Sequence, residues 1–285
     1  MSFLAQSALD LAPIGSANAQ RGWRATLHLQ FERRAGVSVL AERRHSGPLV
    51  VQRPFYPEED VCHVYVVHPP GGVVAGDELA VNAKVHLGAH ALVTTPAAGK
   101  FYRSEGLTAK LSQYFTVEGG IFEWLPQENI FYPQAAAELT TLVRLNATAR
   151  FFGWEVNCFG LPACNQAFHA GALRQSLELQ VDANLILCEH QFFDWECIAA
   201  RWGMAGNFAA GTLLAYPARP QVLDAARGAA QEDVTLSCSL VDGAMICRAV
   251  APRADRLRWA FVAIWSAVRP LMMRRNAVLP RVWAT

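Results

Sequence analysis

Lysine is nearly missing from this chain: Lys84, Lys100 and Lys110 are the only three in 285 residues, and arginine carries the remaining positive charge. The planar guanidinium suits hydrogen-bonded interfaces better than the flexible ammonium does, so the balance leans toward binding. Charge of either sign is scarce too. Charged residues make up 17% and hydrophobic ones 52%, where ordinary soluble domains carry roughly 25% charged residues. A surface with so little charge leaves apolar patches for a partner to cover. The formal net charge of +1 excludes the broad basic field of a nucleic-acid binder.

Other absences narrow the class further. No stretch approaches the roughly 18 apolar residues that cross a bilayer. Residues 1–15 lack a basic start, and Gln6, Ser7 and Asp10 break their apolar run, so no signal peptide is expected. The seven cysteines form no C-x-x-C pair and are odd in number, which fits reduced thiols in the cytoplasm. Ala98-Gly99-Lys100 has Phe101 where a phosphate loop needs Ser or Thr, and Thr94 where it needs the leading Gly, so no nucleotide site is expected. The G-x-S-x-G, H-E-x-x-H and G-x-G-x-x-G signatures are missing as well.

What is present is mostly strand. From Gly22 to Glu32 the alternation is strict, with Trp23, Ala25, Leu27, Leu29 and Phe31 expected on the buried face. Similar runs recur over 37–41, 49–53, 61–68, 79–87, 91–95, 110–117, 121–125, 140–145, 150–159 and 173–181, separated by turn residues. Short strands without intervening helices predict a mainly β protein, built as a stacked-sheet or irregular β-helix-like body. No internal repeat is visible, which argues against an ideal solenoid. After Pro220, the residues Val222, Leu223 and Ala226 predict a short helix stopped by Gly228. Val234–Leu240 and Ala244–Val250 flank Asp242-Gly243 as a hairpin. Asp255 is the expected cap of a second helix with the stripe Leu257, Phe261, Ile264, Trp265 and Val268, ending near Pro270. The expected organisation is a flexible arm over 1–21, a β-rich body over 22–217 and a helix-hairpin-helix segment over 218–285, all in one continuous domain.

Candidate metal ligands are scattered. His63 and His68 flank one predicted strand, and His86 and His90 flank a turn. Cys188-Glu189-His190 sets three donors in a row, but strand alternation turns Glu189 away from its two neighbours. A divalent-metal hydrolase using some of His63, His68, Asp77 and Glu128 is the alternative that these residues leave open, although it needs about three fixed ligands that spacing does not supply.

A longer series of short motifs runs nearly end to end. It comprises Gly22-Trp23, Gly47-Pro48-Leu49, Gln52-Arg53-Pro54-Phe55-Tyr56-Pro57 and Cys62-His63, then His68-Pro69-Pro70-Gly71-Gly72 with Gly76-Asp77-Glu78. Thr94-Thr95-Pro96, Lys100-Phe101-Tyr102-Arg103-Ser104, Glu123-Trp124-Leu125-Pro126-Gln127-Glu128, Arg269-Pro270 and Pro280-Arg281-Val282-Trp283 complete it. In this order the series resembles the urease accessory protein D family, called H in some bacteria. The resemblance implies a non-enzymatic protein with an irregular β-helix fold and two C-terminal helices. It also implies a complex with accessory proteins F and G, the latter a GTPase, that docks on apo-urease and helps insert nickel. Nickel would be cargo in transit and no cofactor would be tightly bound. The acids that match the family's proposed nickel path are Asp77, Glu78, Glu155 and Glu189, with His63 and His68 as weaker candidates. Leu161 stands where relatives usually carry Arg, and Asn165-Gln166 where Gly-Glu is common, so whatever those groups do elsewhere is not carried over here.

Overall fold

The computed structural model describes residues 22–284. The expected arm over 1–21 lies outside the described residues. Seventeen strands are found among them: β1 (Arg24–Arg34), β2 (Val37–Ser46), β3 (Val50–Val51), β4 (Cys62–Val67), β5 (Glu78–Val85), β6 (His90–Thr94), β7 (Gly99–Phe101), β8 (Ala109–Val117) and β9 (Ile121–Trp124), then β10 (Asn129–Phe131), β11 (Ala136–Leu145), β12 (Arg150–Phe159), β13 (Ala172–Val181), β14 (Asn184–Phe193), β15 (Ala209–Tyr216), β16 (Thr235–Val241) and β17 (Ala244–Ala251). Three α-helices join them: α1 (Trp195–Ala199), α2 (Pro220–Gly228) and α3 (Ala254–Met273).

Two open sheets result. The first, of seven strands, has the order β14-β13-β11-β8-β5-β1-β2; the second, of ten, runs β16-β17-β15-β12-β9-β6-β4-β3, with β10 beside β12 and β7 beside β10. From β4 to β13 the chain passes back and forth between the sheets. The first sheet therefore pairs β1, β5, β8, β11 and β13 in parallel, and the second does the same with β4, β6, β9 and β12. This winding is β-helix-like without any repeated motif, because rungs match in facing pattern rather than in sequence. Hairpins close both outer edges, β1–β2 and β13–β14 on one sheet and β16–β17 on the other.

Register stacks like residues on one another. On the inner face of the first sheet Leu29, Ala83, Phe115, Val143 and Leu179 form one row, and Phe31, Val85, Val117, Leu145 and Val181 the next. These rows meet Cys62, Val64, Ala91, Val93, Phe122 and Phe151 from the second sheet. The second sheet is buried on both sides. Its outer face, with Phe152, Trp154, Val156 and Leu213, is covered by Leu257, Phe261, Ile264 and Trp265 of α3, which is why β12 reads as an almost continuous apolar run.

Local sequence explains most boundaries. Asp242 and Gly243 take φ of 45° and 79°, as the tight turn between β16 and β17 requires. α3 starts one residue before Asp255, which pairs with Arg253 and does not cap the helix, and it continues past Pro270 to Met273. The extra turn buries Met272 and Met273, so packing overrides the break expected from the sequence. Trp23 also departs from expectation. It precedes β1 and is 61% exposed, although Ala25, Leu27, Leu29 and Phe31 are buried as their alternation predicts. Its backbone is committed: the Trp23 N–H donates to Asp77 Oδ1 at 2.8 Å, and its carbonyl accepts from the Glu78 N–H at 2.8 Å. Here Gly22 and Gly76 cross, and a Cβ on Gly22 would sit 2.1 Å from the Gly76 carbonyl carbon. Phe31→Ala should therefore lower the unfolding free energy by about 3–5 kcal/mol, whereas Trp23→Ala should change it by roughly 0.5 kcal/mol or less; chemical denaturation of the two variants side by side checks this ordering.

Candidate functional site

On β12, Phe151, Gly153, Glu155 and Asn157 alternate toward the space between the sheets. There Glu155 faces strands of the first sheet. Gln113 donates to its Oε1 at 2.8 Å, Thr141 donates to the same oxygen, and Gln175 donates to Oε2. Asn157 donates onward to Gln175 Oε1 at 2.6 Å, and Gln113 to Thr141 Oγ1 at 3.1 Å. Neighbouring rungs supply these partners, since Gln113 and Thr141 are directly in register between β8 and β11. No cation stands among them. Burial accordingly pushes the Glu155 carboxyl up, and the three hydrogen bonds only partly offset it.

Open space lies on both sides of this seam. A cavity of about 260 Å³ reaches Glu155 and Gln113 from one side, with His68, Gly72, Lys100 and Asn129 in its wall. A groove of about 430 Å³ reaches Asn157 and Gln175 from the other, walled by Thr212, Arg248, Phe192 and the exposed Trp202. The Oε1 of Gln113 is buried without a protein partner, a free acceptor beside the carboxylate.

The acids singled out in the sequence are spread along this axis rather than gathered. Glu155 is central. Glu189 lies at the groove end, where Arg248 holds both its oxygens at 2.8 and 3.0 Å. Asp77 is buried in the glycine loop and accepts from the Trp23 and Val74 N–H groups at 2.8 and 2.9 Å, a turn-forming arrangement. Glu78 points from β5 to the outer face and pairs with Arg24 at 3.0 Å. His68 is half-buried, and burial lowers its pKa against the opposing charge of Asp77. His63 is fully buried on the far side of the second sheet, with Nε2 2.8 Å from Glu58 Oε1. Among the described residues no three His, Cys, Asp or Glu side chains gather as a metal set. His63, His68, Asp77 and Glu128 therefore do not assemble the hydrolytic centre that the alternative reading requires; Glu128 instead pairs with Arg258 at 3.4 Å.

Sequence reasoning missed a second buried polar cluster. Arg269 of α3, with no exposed side-chain surface, binds Glu123 and Glu58 together: its Nη2 lies 2.8 Å from an oxygen of each. Trp265 Nε1 donates to Glu123 Oε2 at 2.6 Å, and His90 Nε2 sits 2.6 Å from Oε1. Desolvation raises Glu123, but the His90 contact and the Arg269 charge outweigh it and hold the carboxyl at about 2. Spacing could not reveal a pair 146 positions apart; the Glu123-Trp124 and Arg269-Pro270 motifs were visible, their meeting was not. The closing Trp283 belongs to the same side, packing on Trp154 and Trp265 and donating to Thr94 Oγ1 at 3.0 Å.

The departures at 161–166 form a small surface turn. Leu161 and Gln166 bridge each other, and Asn165 takes φ 54° at the end of a short 3₁₀ turn. Asn is among the few residues that adopt this left-handed conformation at low cost, so the turn forms here without a glycine.

The wound double sheet, its buried polar seam and its arginine-locked covering helix are matched as a whole by one family of known proteins. The model for the family described as UreD urease accessory protein matches residues 23–284. A urease accessory protein UreD from Klebsiella aerogenes is 41% identical over 272 residues, covering 93% of this chain and 98% of its own length. Those from Vibrio parahaemolyticus and Alcanivorax borkumensis are 39% and 38% identical, over 94% and 93% of this chain and 99% and 93% of their own lengths. The chain belongs to the UreD family of urease accessory proteins, whose members are named as accessory proteins and not as enzymes.

The α3 cluster sets the acid stability. A carboxyl depressed in the folded state contributes stability above its unfolded pKa and loses it as pH falls through the folded value. For Glu123 that window runs from the ordinary carboxyl value of 4.5 down to about 2. Glu123→Gln should therefore flatten the fall in stability across this window, as read from urea midpoints at several pH values. Arg269→Met should cost about 3–5 kcal/mol at neutral pH because two buried carboxylates lose their cation.

Proposed function

We propose that this chain acts in urease maturation as the scaffold between accessory proteins F and G and apo-urease, and that nickel crosses it along the seam centred on Glu155. The observation that carries the reading is a carboxyl side chain buried between two open spaces, with only neutral hydrogen-bond donors around it. Such a site attracts a dication without caging it: oxygen donors exchange nickel readily, whereas a set of thiolates would retain it. His68 marks one mouth and the Glu189–Arg248 pair the other. Asp77 shapes the loop beside His68, and Glu78 offers a carboxylate on the outer surface above it. Because burial pushes the Glu155 carboxyl up, protons compete with an entering ion for it, which makes passage weaken in acid.

A scaffold needs exposed apolar anchors, and Trp202 and Leu87 are each 76% exposed. No helix among the described residues is long and apolar enough to cross a membrane, and a cytoplasmic setting suits a partner of the GTPase and urease.

The test is Glu155→Gln, which keeps size while removing the charge. Partner pull-downs should be unchanged, and folding stability should stay within about 1 kcal/mol, since the amides of Gln175 and Asn157 can reorient to re-pair. Urease activation at limiting nickel should fall roughly tenfold, because about 1.4 kcal/mol of lost attraction for the ion suffices for that, and excess nickel should restore part of it. Unimpaired activation with the complex intact removes the nickel path and leaves a scaffold alone.

A further inference from the structure

On β14, the edge strand of the seven-stranded sheet, alternation separates the three consecutive donors Cys188, Glu189 and His190. Glu189 turns to Arg248, while Cys188 and His190 share the outer face, both exposed, with Sγ and Nε2 3.6 Å apart. This distance has a coordination meaning. A cation bound by thiolate at about 2.3 Å and by imidazole at about 2.0–2.1 Å, with the tetrahedral angle of about 109° between them, holds the two donors roughly 3.5 Å apart. A right-angled bite, as in square-planar or octahedral sites, would draw them to about 3.1 Å. The pair is thus already at tetrahedral spacing.

Its surroundings favour a cation. Glu178 of β13 stands opposite Cys188 in the ladder and faces the same way. The outward cation further along β13, Arg174, is drawn over the Phe192 ring at 5.2 Å from its centroid. β14 has no neighbour beyond it in the sheet, so the donors open to solvent.

We propose that Cys188 and His190 form a surface half-site for a tetrahedral, zinc-type divalent cation, whose remaining positions are left to water or to a ligand brought by a partner. Thiolate with imidazole is the donor pair that such a borderline cation prefers. The half-site lies on the opposite side of β14 from the groove-facing Glu189 and does not depend on nickel passage through the seam. It also discriminates by geometry, since a cation demanding right angles has to move both side chains.

Cobalt(II) is the probe, read in the purified full chain kept reduced with a phosphine. Wild type should show near-ultraviolet thiolate-to-cobalt absorption and strong visible bands of tetrahedral type, both bleached by stoichiometric zinc. Cys188→Ser should abolish them, and His190→Gln should weaken cobalt affinity at least about tenfold. Cys164→Ser, at the other exposed thiol, should leave the spectrum unchanged. Absence of the bands from wild type, their persistence in Cys188→Ser, their loss in Cys164→Ser, or weak octahedral-type bands in their place would each overturn the proposal.

Discussion

The fold depends on parallel register. Once successive strands are wound into two ladders, a side chain of any rung is answered at the same level by the rungs on either side. Apolar positions stack into rows almost without exception, and a polar residue on an inner row must find its partners in adjacent rungs or remain unsatisfied. Gln113 and Thr141 are such neighbours, and Glu155 on the opposite sheet is where their donors converge. The seam is a consequence of the ladder as much as an addition to it.

The two fully buried carboxylates show how little burial alone decides. Glu123 and Glu155 are equally removed from water, yet one is held at about 2 and the other is pushed up. The difference is His90 together with Arg269. A guanidinium in contact makes the first carboxylate a fixed anion and part of a structural lock. Neutral amides and a hydroxyl leave the second with unspent attraction for a positive charge, which the proposed transit role would use and a lock would not.

Alternation reports a half-buried strand directly, and β1, β5, β8, β11 and β13 follow the expected pattern closely; β14, exposed along much of its length, and β15, buried on both faces, alternate poorly and were not among the expected runs. The hairpin at Asp242-Gly243 and the short helix α2 were equally plain. The five-residue α1 and the three-residue β7 and β10 escaped because fewer than two full periods do not establish a pattern. Trp23 was misplaced because alternation says nothing about where a strand begins. Among the site residues, Glu155 stands out in sequence as the lone acid in an apolar run, whereas its partners come from β8, β11 and β13. Those three strands are brought together only by winding. Arg269 with Glu58 and Glu123 is the extreme case, a tertiary contact with no local trace.

That contact also fixes the order in which the molecule can be completed. Glu58 and Arg269 are separated by 211 positions, nearly the whole described chain. During synthesis at about 5–20 residues per second, the ladders are made first, and the outer face of the second sheet, with Glu123 on β9 and Glu58 before β4, stays bare until α3 leaves the ribosome. A segment translated late is the one that neutralises and covers carboxylates made much earlier. A chain truncated before α3 lacks more than a helix: it is left with an anionic apolar wall that water, or some other protein, has to meet.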